Sequence, residues 1–62
     1  MARITEDVIT RNDEGYNHYG SAIVSVRDTE TGEVRTASVD YCPSKSPSEA
    51  IAEAIQEANS KF

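Results

Sequence analysis

Residues 46–58 read SPSEAIAEAIQEA, and this stretch decides the fold because it has the features of one well-capped amphipathic helix. Ser46 and Glu49 stand three residues apart, the capping-box spacing at which each side chain can satisfy a backbone N–H of the first turn. Pro47 falls at the first helical position, where its missing N–H costs nothing. The stretch therefore predicts a helix that begins at Pro47 and packs on the strands before it.

The predicted helix has one apolar side and one polar side. Its apolar residues recur at helical spacing and are Ala50, Ile51, Ala54, Ile55, Ala58 and Phe62, whereas Glu49, Glu53, Gln56, Glu57, Ser60 and Lys61 lie on the other side. Because alanine dominates the apolar side, the helix axis can lie close to a sheet. Ile51 and Ile55 are then the large side chains that we expect to fill the contact.

Before this helix the sequence predicts two strands joined by a short turn. Residues 22–26, AIVSV, form the clearest strand, and TETG at 29–32 connects it to a second strand at 34–41. If Asp28 faces Glu33, one sheet face becomes apolar, with Ala22, Val24 and Val26 opposite Val39, Ala37 and Arg35 and with Tyr41 at its end. A slip of one residue would mix the two faces, so this register is the prediction.

The first segment, residues 2–11, fits a strand better than a helix. Ile4, Glu6, Val8 and Thr10 alternate with Thr5, Asp7 and Ile9, as the two sides of a strand do. The alternative is a short helix capped at Thr5, in which Ile4 and Val8 stack four residues apart. The residues that follow, NDEG at 12–15, have the composition of a turn. We therefore expect a hairpin between the first and second strands.

The order strand, strand, strand, helix predicts one α+β domain over residues 1–62. We expect a three-stranded antiparallel sheet, a β-meander, with the amphipathic C-terminal helix packed on one face. The candidate core residues are Ile4, Val8, Val24, Val26, Val39, Ile51, Ile55 and Phe62. A chain of 62 residues with a single cysteine, Cys42, has no internal disulfide to stabilise so small a core. We therefore expect a homodimer.

Charge and composition disfavour several classes of function. The formal net charge of −5 opposes nucleic acids and anionic lipid surfaces, and we expect no signal peptide, no membrane span and a cytoplasmic location. His18 is the one histidine, and neither His18 nor Cys42 belongs to a recognisable catalytic or metal-ligating pattern. The sequence therefore predicts a protein that is not an enzyme and that holds no cofactor or metal.

What remains is binding, for which the sequence offers tyrosines, one sheet face and an acidic helix side. The predicted partner-binding residues are Tyr16, Tyr19, Ile23, Arg27, Val34, Glu49 and Glu53. They predict a small acidic protein–protein interaction module, and its size and charge suit a phage or mobile-element inhibitor of a basic host protein. Ile9, Ile23 and Val34 are expected to face away from the helix, with Ile23 and Val34 in a dimer contact. A weaker alternative is a small-ligand site near Tyr16, Tyr19 and His18.

Two resemblances accompany this interpretation. Residues 22–26, the hairpin after them, and SKSPSEA at 44–50 before an alanine-rich helix resemble the second half of a double-stranded RNA-binding domain. That resemblance implies nucleic-acid binding, although Pro47 and Ser48 stand where the family has lysines and its first helix has no counterpart. The turn DEGY at 13–16, the strands after it and SPSEAI at 46–51 are similar to antitoxins of the HicB type, which implies an acidic partner-binding domain.

Overall fold

The computed structural model describes residues 2–13 and 16–62, without the side chains of residues 13, 16 and 17. Three strands, β1 (Arg3–Asp13), β2 (Tyr16–Asp28) and β3 (Val34–Tyr41), precede one helix, α1 (Pro47–Ser60). The strands form an antiparallel sheet in the order β1-β2-β3, and α1 packs on it. This α+β architecture confirms the predicted fold class and the strand at the start of the chain. Two residues of the predicted first turn, 14 and 15, lie outside the description.

The register of β2 and β3 is the predicted one. Ala22, Val24 and Val26 pair with Val39, Ala37 and Arg35. Asp28 closes the turn, because its backbone N–H donates to Glu33 O over 2.9 Å and its Oδ1 accepts the N–H of Glu30 over 2.9 Å. Gly32 has a φ of 78°, a left-handed conformation that glycine adopts without a steric penalty. The buried Asp28 carboxylate thus accepts a backbone N–H of the turn that would otherwise have no acceptor within the turn.

A β-bulge at Glu6 changes the predicted alternation of β1. Thr5 pairs with Val26 and Asp7 pairs with Ser25, so Glu6 is an extra residue between two successive pairs. Beyond the bulge the side chains exchange faces, and Val8 lies on the helix side whereas Ile4 does not. The prediction that both residues belong to the core is wrong, since Ile4 is 50% exposed and Val8 is 43% exposed.

The core between α1 and the sheet is built largely from small side chains. Ala50, Ala54 and Ala58 are fully buried against Val24 and Val26 and their neighbours. Because alanine lets the helix approach the strands closely, the larger residues Ile51, Ile55, Val39 and Phe62 pack around this contact and are only partly buried. Ile51 and Ile55 therefore lie at the sides of the contact. The sequence had predicted that they fill it.

Both ends of α1 are held by side chains. At the start, Ser46 Oγ accepts the backbone N–H of Glu49 over 3.3 Å, which is half of the predicted capping box. At the end, Arg3 Nη1 donates to Asn59 O over 3.2 Å, and its guanidinium lies 4.7 Å from the centre of the Phe62 ring. Arg35 approaches the same ring at 5.3 Å. The ring of Phe62 is thus held between cations from both edge strands.

Tyr41 closes the other end of the core. It pairs across the sheet with Gly20, and its ring lies over that glycine. Its hydroxyl donates to Arg11 O over 3.0 Å and also contacts Asn12 Oδ1. Tyr41 is 3% exposed, so the tyrosine that the sequence placed at the end of the apolar face is a core residue.

Candidate functional site

The sheet face that lies away from α1 is covered by nothing in the described part of the chain, and we call it the open face. Its members follow from the pairing and from the alternation of side chains along each strand. They form four rows across β1, β2 and β3: Ile4, Arg27 and Val34; Asp7, Ser25 and Thr36; Ile9, Ile23 and Ser38; Arg11, Ser21 and Asp40. Two rows that contain aliphatic residues thus alternate with two rows that are wholly polar.

The aliphatic residues of the open face are accessible. Ile4 is 50% exposed, Ile9 is 43% exposed and Val34 is 37% exposed, while Ile23 on the central strand is partly buried by its neighbours. Single exposed aliphatic residues are common on protein surfaces, but here four of them share one face of a small sheet. Such grouping is typical of a surface that contacts another molecule.

The polar residues of the open face are held in defined positions. The Arg27 guanidinium contacts Glu6 Oε1 at 2.6 Å, which places the bulged residue on this face. Ser21 Oγ donates to Asp40 Oδ1 over 2.8 Å, and Ser25 Oγ lies 3.2 Å from Thr36 Oγ1. These contacts order side chains that would otherwise lose conformational freedom on binding, so the face is preorganised.

The structure divides the predicted partner-binding residues between two sides of the molecule. Ile23, Arg27 and Val34 lie together on the open face. Tyr19, 45% exposed, precedes Gly20 in β2, and the side chain of Tyr16 lies outside the described residues. Glu49 and Glu53 are on the outer side of α1, which packs against the opposite face of the sheet. One contact surface therefore cannot include all seven residues.

The outer side of α1 is acidic but partly neutralised. Lys45 Nζ lies 2.6 Å from Glu53 Oε2, and this hydrogen bond raises the pKa of Lys45 above its usual value. A groove of about 570 Å³ includes this ion pair in its lining, which consists of Ser38, Val39, Lys45, Glu53, Gln56, Glu57 and Ser60. The groove does not include Tyr19 or His18, near which a small-ligand site was predicted.

Most basic side chains are engaged within the molecule, which bears on the nucleic-acid alternative. Of the six lysines and arginines, Arg3 and Arg35 contact Phe62, Arg27 pairs with Glu6, Lys45 pairs with Glu53, and Lys61 Nζ donates to Thr36 O. Among the side chains that the structure describes, Arg3, Arg11 and Lys61 have no carboxylate partner. Glutamates pair with Arg27, Arg35 and Lys45 and so reduce the positive charge open to phosphate.

His18 and Cys42 do not form a pair in the described structure. His18 is exposed on β2, and Cys42 follows β3 in a short turn closed by hydrogen bonds with Lys45. Cys42 Sγ lies 3.1 Å from Ser44 Oγ, and that hydrogen bond lowers the pKa of the Cys42 thiol. Within residues 2–13 and 16–62 there is no group of three or more His, Cys, Asp or Glu side chains that could hold a metal ion.

Comparisons of the chain with protein-family models, with curated protein sequences and with solved structures found no match. The resemblances to double-stranded RNA-binding domains and to HicB-type antitoxins therefore stay predictions. Among the described residues, no helix is long and apolar enough to cross a membrane.

Ile4, Arg11 and Asp40 are among the members of the open face that the sequence did not predict as site residues. Ile4 was assigned to the core because the bulge at Glu6 is not visible in the alternation. Arg11 and Asp40 were overlooked because they are far apart in the chain, and only the pairing of β1 and β3 with β2 brings them into one row with Ser21. The register of β2 and β3 is a sequence signal for Asp40, whereas Arg11 also requires the register of β1 and β2.

Proposed function

We propose that this chain is a non-enzymatic protein-interaction module and that the open face is its contact surface. The observation that carries the proposal is the group of aliphatic residues Ile4, Ile9, Ile23 and Val34, which α1 leaves uncovered. Polar and charged side chains lie between and beside them, so the face mixes apolar and polar groups as protein interfaces do. Burying this face against another protein would remove apolar surface from water at a gain of roughly 25 cal/mol per Å².

The acidic side of α1 supports a second element of the proposal, a basic partner that would bind there, apart from the molecule that covers the open face. Glu49, Glu53 and Glu57 are exposed there, and Lys45 neutralises one of these charges. An acidic surface raises the rate at which a basic protein associates with it, and added salt reduces this effect. Inhibition of a basic host protein by a phage or mobile-element product is the setting that these charges suit.

The decisive experiment compares two neighbouring residues of β1. Ile9 and Val8 are both β-branched aliphatic residues and both are 43% exposed, but Ile9 lies on the open face and Val8 lies on the helix side. We expect Ile9→Lys to abolish capture of partners by the immobilised chain, as measured by pull-down and mass spectrometry. Val8→Lys adds the same charge at the same exposure and should leave capture unchanged.

Two results would contradict the proposal. If Ile9→Lys and Val8→Lys reduced capture equally, the cause would be the added charge or a loss of stability, and not damage to the open face. Capture that is unaffected by both substitutions would assign binding to another surface. Glu57→Lys, on the outer side of α1, tests the basic partner separately, because it should reduce the salt dependence of capture without abolishing capture.

A further inference from the structure

We infer that the partner of the open face is a second copy of this chain, packed face to face about a two-fold axis parallel to β2. The inference rests on the proposed function, since it names the occupant of the same surface. Two such sheets would form a sandwich with one α1 on each outer side. Aligned sheets in sandwiches pack with their strands within about 30° of each other, which this axis permits.

The arrangement follows from where each residue lies relative to β2. A two-fold axis parallel to β2 places β1 of one copy over β3 of the other and keeps every row over itself. Ile23 of one copy then meets Ile23 of the second copy. In the row beyond, Ile4 meets Val34 of the second copy. Ile4, Ile23 and Val34 thus meet aliphatic residues of the second copy, whereas Ile9 meets Ser38. Each contact away from the axis occurs twice, as a two-fold interface requires.

The charges follow the same symmetry. Arg11 and Asp40 occupy the two ends of one row, so the axis places Arg11 of each copy over Asp40 of the other. Asp40 Oδ1 accepts from Ser21, which leaves its second oxygen for the guanidinium. Arg27 lies on the axis and faces its own equivalent, but each Arg27 keeps its 2.6 Å contact with Glu6, so two ion pairs meet and not two bare cations.

The size of the face sets the expected strength of the dimer. Three strands about 4.8 Å apart, with the eight residues of β3 rising about 3.3 Å each, define a face of roughly 14 Å by 26 Å. Two such faces bury less than the roughly 1,200 Å² that marks the lower limit of stable interfaces. We therefore expect a dimer that dissociates on dilution, and measurements must extend from micromolar to millimolar concentrations.

The test uses charge reversal at the two ends of the row. Arg11→Asp places Asp over Asp40 in both symmetry-related contacts, and Asp40→Arg places Arg over Arg11 in both. Each variant alone should raise the dimer dissociation constant at least tenfold in sedimentation equilibrium. An equimolar mixture of the two variants should restore association, because both contacts of the mixed dimer then join opposite charges.

A matched control separates this geometry from other causes. Glu57→Arg makes the same charge change as Asp40→Arg on the outer side of α1 and should leave the dimer intact. A two-fold axis perpendicular to the strands, through the row of Ile9, Ile23 and Ser38, would instead place Arg11 over Asp7. Asp40→Arg would then dimerise like the wild type and Asp7→Arg would not, which would overturn the inference.

Further outcomes overturn the inference without overturning the proposed function. A monomeric wild type at millimolar concentration, or a mixture that stays monomeric, rejects the second copy as the occupant. If Ile9→Lys still abolishes capture of a different protein while Val8→Lys does not, the open face binds that protein and the proposed function stands. Association restored by the mixture, and absent from each variant alone, is the result that we expect.

Discussion

Gly20→Ala should be among the most destabilising single-methyl changes in this protein. A Cβ added at Gly20 would overlap Arg11 O and the Tyr41 hydroxyl oxygen, and would lie 2.6 Å from Tyr41 Cζ. Moving either neighbour costs energy, because Arg11 O belongs to the backbone of β1 and Tyr41 is only 3% exposed. The ring must leave its position or β1 must separate from β2.

The expected cost is the sum of two effects. Overpacking of a close contact costs about 1 to 3 kcal/mol. Displacing the ring also breaks the 3.0 Å hydrogen bond from the Tyr41 hydroxyl to Arg11 O, which costs about 1 to 3 kcal/mol when a partner stays buried. A loss of about 2 to 6 kcal/mol corresponds to at least about 8 °C in the melting temperature of so small a domain.

Circular dichroism during thermal and urea unfolding measures this loss, and a double-mutant cycle with Tyr41→Leu assigns it. In the Tyr41→Leu background the ring is absent, so Gly20→Ala should cost less by more than about 0.5 kcal/mol. Gly32→Ala is the comparison for a purely conformational penalty, because Gly32 has a φ of 78° and open space around it. An equal cost of Gly20→Ala in both backgrounds would refute the reasoning, since the ring would then not be what the added methyl meets.

Three further changes test the packing and the turn. Ala54→Leu should lower the melting temperature, because overpacking the fully buried contact between α1 and the sheet costs about 1 to 3 kcal/mol, whereas Ala52→Leu on the exposed side should change it little. Phe62→Leu should cost about 1 kcal/mol or slightly more in urea unfolding, since it removes the ring that two guanidinium groups contact. Cys42 should be alkylated at a lower pH than an ordinary thiol, because its hydrogen bond with Ser44 lowers the thiol pKa, and Ser44→Ala should move the midpoint of the alkylation rate to higher pH. The absence of any shift in Ser44→Ala would mean that this hydrogen bond does not control the thiol.

The acidic side chains of α1 lie on the opposite side of the molecule from the aliphatic residues of the open face. Sequence reasoning named Glu49 and Glu53 as partner-binding residues for an acidic helix side, and Ile23 and Val34 for one sheet face. Helical periodicity requires that the glutamates point away from the sheet, and strand alternation requires that Ile23 and Val34 point away from the helix. The sequence predicted both directions, and the packing of α1 on the sheet places the two groups of residues on opposite sides of the molecule.

The sequence by itself determined the local structure and the pairing of β2 with β3. The Ser46 cap, Pro47 and the spacing of Ala50, Ala54 and Ala58 define α1 through interactions within a few residues, and the apolar alternation of β2 and β3 permits one register. Only the tertiary structure decided which large residues are buried. The bulge at Glu6 moves Ile4 to the open face, and the alanine contact leaves Ile51 and Ile55 at the margin of the core. A bulge and a close helix approach both depend on contacts between residues distant in the chain, so no local pattern specifies them.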